Sequence, residues 1–576
     1  MKRAVLVSLA LLAAGPVAAG EMEKPAITLS VVNWDAAAAA LPDHGSEPAA
    51  EAFAALNAIT GKRFVGIAKS SVPVLLPFDV DAFRKDAADG KPDASTSDKY
   101  FGDFHPTKFF LPGPAGYDAT FVAGGVDTRF SKPVAVEMSG AAFVYDLDPP
   151  NHVEKEDTPK DLQEKFPGIR RILSEAHVRY AFERFGVPYV LSIQCYDMHP
   201  SARRLACREA DPVAVRFLNL LHIAGGTPTK IAAPKLDLSR PAKKSDFTYY
   251  SPGDLIENSG WKKMAGRADY HVYARMRFPI AEAPGYVKSQ SFMSWGDCYH
   301  SGIVGQLGRK GAPYHCKVND KPLVFDESAA ENFTYPWRDN FCELRNFLVG
   351  QCPGGYGHQG EDIRPGNCVL NNAEADRCLP YQHTVAAVED GMIRRMPGNI
   401  GIYIVVNTAD ERLRFRYLHM DPKAMDAQGF LDGRPVSEGE IIGKVATWGD
   451  FQNGTSYHIH FNIQVFTKDG WVWVNPYMTL VSAYERLIGG RGTEIMPGEP
   501  APPVPDKPPV ILHTEPAATA PSPTAAASPE PATAPPTLAV PEPPPKVEKK
   551  TEETAERHRP RHHHRIHRRH RHRHRR

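Results

Sequence analysis

The run Ser456-Tyr457-His458-Ile459-His460-Phe461-Asn462-Ile463 alternates polar and apolar residues strictly. In a strand, His458, His460 and Asn462 share one face, while Tyr457, Ile459, Phe461 and Ile463 share the other and can enter a core. Two imidazoles on one rigid strand face suit metal chemistry, because the backbone sets their separation. A solvated polar face would give the same pattern. A second element, Gly357-His358-Gln359-Gly360-Glu361-Asp362, places His358 and Asp362 four residues apart. Gly354, Gly355, Gly357, Gly360 and Pro365 argue against a helix here, and on an extended segment an even spacing keeps both residues on one side. Imidazole nitrogen with carboxylate oxygen is ordinary zinc ligation. A third element, Arg416-Tyr417-Leu418-His419-Met420, is a strand end carrying a histidine.

The elements that must position these residues are short and β-prone. Gly401 to Asn407, Leu413 to Leu418, Ile441 to Thr447, Ser456 to Phe466 and Trp471 to Val474 alternate with glycine-containing turns. No long helical pattern appears in 336–485 until Thr479 to Leu487, so this region is predicted to be a mostly β domain. Residues 20–335 read as an α+β region. Helices are predicted over Glu47 to Ile59, Gly168 to Phe185 and Pro212 to Ile223, and strands over Tyr189 to Ile193 and His271 to Ile280. The second helix rests on Ile169, Ile172, Leu173, Ala176 and Tyr180 at helical spacing, with Gly186 and Pro188 as its stop. No motif in 20–335 carries chemistry; the region packs, binds or inhibits.

Taken in order, the motifs resemble the lysostaphin/LytM-type zinc metallopeptidases over roughly residues 357–477. His358 and Asp362 match that family's His-x-x-x-Asp, and Tyr417-Leu418-His419-Met420 its Tyr-x-His-Leu. Val436 to Gly443 is similar to its Val-x-x-Gly-x-x-Ile-Gly turn, His458-Ile459-His460-Phe461 to its His-Leu-His-Phe, and Val474-Asn475-Pro476 to its closing Asn-Pro. The resemblance implies an antiparallel β peptidase fold. It implies one catalytic Zn2+ on His358, Asp362 and His460, with His419 and His458 beside a zinc-activated water that attacks a peptide carbonyl. It leaves open which of those two histidines takes the proton. It also implies peptidoglycan peptides as substrate. Glu361 stands where the family has an apolar residue, and Asn462 where Glu is common. A non-catalytic LytM-type envelope protein that binds or activates another cell-wall hydrolase is the alternative. A further one is an envelope-binding protein centred on 20–335, or an inhibitory segment there that fills the open metal position.

The 576-residue chain has a net charge of +1, but that figure is an average of unlike parts. Residues 557–576 hold 10 Arg and 8 His with no acid, leaving 58 basic against 67 acidic residues before them. Residues 1–19 read as a signal peptide: Lys2 and Arg3, an apolar stretch from Ala4 to Ala14, and small residues before Gly20. That stretch is too short to span a bilayer. Export to a periplasm or cell envelope follows, which disfavours nucleic acid as a partner. Eight cysteines in an exported chain favour disulfides, and neighbour pairing gives 195–207, 298–316, 342–352 and 368–378. Residues 486–556 are predicted to be a disordered proline-rich spacer, with 18 prolines between 497 and 545. The basic 557–576 tail would be drawn to an anionic envelope surface, an attraction that salt weakens, and its histidines could bind metal.

Overall fold

The computed structural model describes residues 20–500, apart from 43–44, 92–95, 125–132, 149–153, 175, 196–204, most of 289–329, 346, 367, 372–373, 397–399 and 450–451. The predicted signal peptide, the basic tail and the spacer from residue 501 onward lie outside the described residues. Among these, no helix is long and apolar enough to cross a membrane.

Two antiparallel sheets organise the chain. The first holds strands β1 (Phe104–Gly113), β2 (Gly116–Ala123), β3 (Val134–Ala141), β4 (Glu154–Glu156), β5 (Arg170–Ser174), β6 (His177–Arg184) and β7 (Val187–Gln194), in the order β1-β2-β3-β7-β6-β5-β4. The second holds β8 (Gly285–Val287), β9 (Glu361–Pro365), β10 (Gly391–Arg395), β11 (Gly401–Asn407), β12 (Arg412–Leu418), β13 (Pro435–Val436), β14 (Ile459–Thr467) and β15 (Gly470–Val474). Its order is β8-β9-β14-β12-β11-β10-β13, with β15 also on β14. The β runs predicted from sequence between 401 and 474 are therefore strands, with the Ile441–Lys444 strand shorter than expected. Helix α1 (Ala49–Thr60) and helix α3 (Tyr477–Ile488) are where the sequence places them. Helix α2 (Asp211–Asn219) is shorter than predicted, because Leu221–Gly225 turns into a strand.

Three expectations are corrected. Residues 168–185 form β5 and β6, not a helix. Phe185 (φ 56°) and Gly186 (φ 72°) are both left-handed, which gives the two-residue hairpin turn joining β6 to β7. The helical spacing was a coincidence of a sheet buried on both faces. Val178, Tyr180 and Phe182 face the main core, while Ile172, Ala181 and Val190 pack against Phe466 and Trp471 of the second sheet. The segment His271 to Ile280 joins no ladder; single bridges tie His271 to Glu23 and Ile280 to Val385. The spacer also starts later than predicted, because Arg491–Ile495 pairs in parallel with Lys244–Tyr250.

The described residues belong to one compact unit, and structure crosses the boundary expected near residue 335. Strand β8, from before it, extends the second sheet by pairing with β9. The first sheet supplies counter-charges as well. Arg412 and Arg414 of β12 are buried, and Asp118 of β2 accepts from Arg412 Nη1 at 3.2 Å and Arg414 Nη2 at 3.4 Å. Glu137 of β3 pairs with Arg414 and Arg394. Phe466 and Trp471 cover the guanidinium planes, with Arg414 Cζ 3.9 Å from the Trp471 ring centre.

Three of the four expected disulfides are present: Cys195–Cys207, Cys342–Cys352 and Cys368–Cys378. The side chains of Cys298 and Cys316 lie outside the described residues, although the backbone places the two positions opposite each other in an antiparallel pair.

An acidic cluster at the turn after Val388 sets a pH dependence. Burial, then Glu411 and Glu438, push the Glu389 carboxyl up to about 9. A native-state value above the unfolded one means that stability falls as pH rises from about 4.5 toward that value. Glu389→Gln should therefore raise the denaturant midpoint at pH 8 and leave it unchanged at pH 4. An equal shift at both pH values would contradict the assignment.

Candidate metal centre

The second sheet brings the predicted residues to one place. Register pairs Asp362 of β9 with His460 of β14, and Leu418, the last residue of β12, with His460 from the other side. Gly360 permits this approach: a Cβ there would lie 2.2 Å from the Phe461 carbonyl oxygen. His358 Nε2 is 3.3 Å from Asp362 Oδ1 and 2.9 Å from His460 Nδ1, and His460 Nδ1 is 2.9 Å from Asp362 Oδ1. The three side chains form a group of buried donors able to hold a metal ion.

The other two histidines close the site. His458 Nε2 is 3.2 Å from Asp362 Oδ1, and its Nδ1 lies 2.9 Å from the Ser456 carbonyl oxygen. His419 follows β12 in a left-handed conformation (φ 73°), an uncommon backbone state that tends to occur where function demands it. Its Nδ1 donates to the Trp448 carbonyl at 2.7 Å, and its ring centre is 4.7 Å from that of His458. Of the five residues, only His419 is half-exposed. All five residues singled out from sequence thus meet in one cluster.

The donor set fits a cation. The Asn340 carbonyl accepts from His358 Nδ1 at 3.0 Å, so His358 presents its Nε2 lone pair inward. Three histidines face the Asp362 carboxylate, and among the described residues no Lys or Arg pairs with it. Asp362 Oδ2 and His460 Nε2 are buried without a hydrogen-bond partner. Burial alone would raise the Asp362 carboxyl, but His458 and His358 outweigh it and hold it well below its usual range. Burial, reinforced by His358, keeps His460 far below its ordinary value. An ionised carboxylate beside a neutral imidazole is the protonation state that ligation requires.

Sequence reasoning missed the layer behind the ligands. Asn340 and Asp339 precede the first ligand and are fully buried. Asn340 Oδ1 accepts the Asp362 N–H at 2.9 Å. Asp339 accepts from Gly253 N, Phe341 N and Asn475 Nδ2 at 2.7, 2.8 and 2.7 Å. Asn475 of the Asn-Pro element therefore acts through Asp339. Glu361 turns away from the His358, Asp362 and His460 side chains and accepts from Asn340 N and Phe341 N. Asn462 accepts from Arg416 Nε at 2.6 Å.

No family model matches the chain, and no curated protein matches it. Among solved structures it is similar over 24% of its length to a Ruminococcus gnavus structure assigned as a glycyl-glycine endopeptidase, LytM, at 21% identity and a TM-score of 0.18. It is similar over 23% of its length to the antimicrobial peptidase lysostaphin from Staphylococcus simulans, at 23% identity and a TM-score of 0.15. The matches span 53% and 45% of those two chains, about half their length.

Proposed function

We propose that the chain is an exported zinc metalloendopeptidase that hydrolyses peptide cross-links of peptidoglycan. The observation that carries the reaction class is the convergence of His358, Asp362 and His460 with two further histidines presented to the same point. The substrate rests on the ordered motifs from His358 to Asn475. Three protein donors are the number that would hold a catalytic zinc, against four in structural sites. Zinc in such a site supplies Lewis acidity toward a carbonyl and lowers the pKa of water.

The protein's own groups divide the work. His419 keeps partial exposure, and the burial of its ring, with His458 nearby, holds it below its ordinary value. With Nδ1 committed to Trp448, its Nε2 is free to accept a proton from water. His458 faces the Asp362 carboxylate through Nε2. That position suits His458 to stabilise the developing oxyanion by a hydrogen bond, while the proton that His419 takes from water is the one passed to the leaving amine. His419→Ala and His458→Ala should each lower kcat by ~10²–10⁴ with KM little changed. Only His419→Ala should flatten the acid limb of the pH–rate profile. A limb that survives His419→Ala would refute this division.

Digestion of purified peptidoglycan, with mass analysis of the released muropeptides, tests the substrate. New amino and carboxyl ends within cross-links are expected. Products cut only in the glycan, or no products, would overturn the reading. The alternative, a non-catalytic module that activates another hydrolase, predicts no release until that hydrolase is added.

A further inference from the structure

We propose that Asn340 is a positioning residue that sets two of the three ligands for the metal, a role that rests on the metal-centre reading above. Asn340 lies 18 residues before His358, outside the stretch that carries the motifs, and is fully buried. It makes three bonds to the site with three different groups. Its carbonyl oxygen receives His358 Nδ1 at 3.0 Å, which fixes the tautomer and the ring plane. Its side-chain Oδ1 receives the Asp362 backbone N–H at 2.9 Å, which fixes the start of β9 against β14. Its own N–H donates to Glu361 at 3.2 Å, between the two ligands.

The segment is held from both sides. Asp339 anchors it to Gly253 and Asn475, and Cys342, itself bridged to Cys352, donates its N–H to the His358 carbonyl at 3.0 Å. A role in packing alone would not call for asparagine. Its Nδ2 is buried with no partner, a penalty of ~1–3 kcal/mol for an amide donor that an apolar residue of the same shape avoids. Retaining that penalty makes sense if Oδ1 is needed where it stands. Groups that orient metal ligands typically cost ~10–100-fold in metal affinity when removed.

The test is zinc affinity of the full-length protein, measured by competition with a chelating indicator. Full-length His460→Ala serves as the baseline, since the tail histidines contribute equally to every variant. Asn340→Leu keeps the volume and loses the acceptor, and its zinc dissociation constant should rise ~10–100-fold. Asn340→Ala repeats the loss without the bulk, should Leu disturb folding. Asn340→Asp keeps an acceptor toward the Asp362 N–H, and its loss should be clearly smaller. Unfolding of the metal-free proteins separates position from packing: the affinity change must exceed any change in metal-free stability. Wild-type affinity in Asn340→Leu and Asn340→Ala, or an equal loss in Asn340→Asp, would overturn the proposal. A wild type that binds zinc no more tightly than His460→Ala would overturn the metal reading, and this inference with it.

Discussion

Replacing His460 by Ala should abolish peptidoglycan hydrolysis and remove the tight zinc site, while the protein still folds. His460 belongs to the central strand β14, and its Nδ1 sits 2.9 Å from both other ligands. Its loss leaves a two-residue site, below the three protein ligands of catalytic zinc centres. The fold should survive because the packing of β14 is carried by its opposite face. Ile459, Phe461 and Ile463 lie there, all fully buried in the main core. Far-UV circular dichroism close to wild type, with hydrolysis below detection, is the expected pair of results. Hydrolysis at the wild-type rate would refute the assignment of the site.

The second large effect concerns the part of the chain with no chemical motif. Removing Asp118 should destabilise the protein by ~3–5 kcal/mol, because it leaves the buried Arg412 guanidinium without its counter-charge; removing Glu137, which leaves Arg414 its contact to Asp118, should cost less. Arg412 is wholly buried, and Asp118 is its bidentate partner at 3.2 and 3.3 Å. Glu137 serves both Arg414 and Arg394. A shift in the denaturant midpoint of Asp118→Ala or Glu137→Ala reads this directly. The same interface predicts that a fragment of residues 336–485 alone will not fold. It would lack these carboxylates and strand β8, and the β9 edge carrying Asp362 would be unpaired. Were the preceding region a removable plug, truncation would raise activity; the interface predicts loss instead. A folded fragment more active than the full chain would contradict this.

The site was legible because its chemistry lies on strands or directly beside them, with Asp362 and His460 inside β9 and β14 and His419 and His458 next to β12 and β14. Alternation in 456–463 assigns His458 and His460 to one face without any tertiary information, and the structure keeps that face. What alternation could not show is that the polar face is buried. Arg412, Arg414 and Arg416 continue it along β12 and look solvated in sequence, yet carboxylates of the first sheet and a row of aromatics cover them. The same burial defeated the reading of 168–185. A strand apolar on both faces has no period of two, and chance spacing then imitated a helix. Asn340 and Asp339 were illegible for another reason. Asn340 holds His358 through a backbone carbonyl, which no residue type signals, and Asp339 reaches Asn475 across 136 positions of sequence.

The eight histidines in residues 557–576 make bulk zinc content ambiguous, since imidazole is a common metal ligand wherever it stands. Location therefore tests the central claim better than stoichiometry. Anomalous diffraction at the zinc absorption edge, from crystals of the zinc-loaded full-length protein, should show one strong peak bounded by His358 Nε2, Asp362 Oδ1 and His460 Nδ1. That peak should be absent from His460→Ala crystals grown the same way. Zinc found only elsewhere, or none between these three atoms in the wild type, would contradict the assignment of a catalytic metal centre.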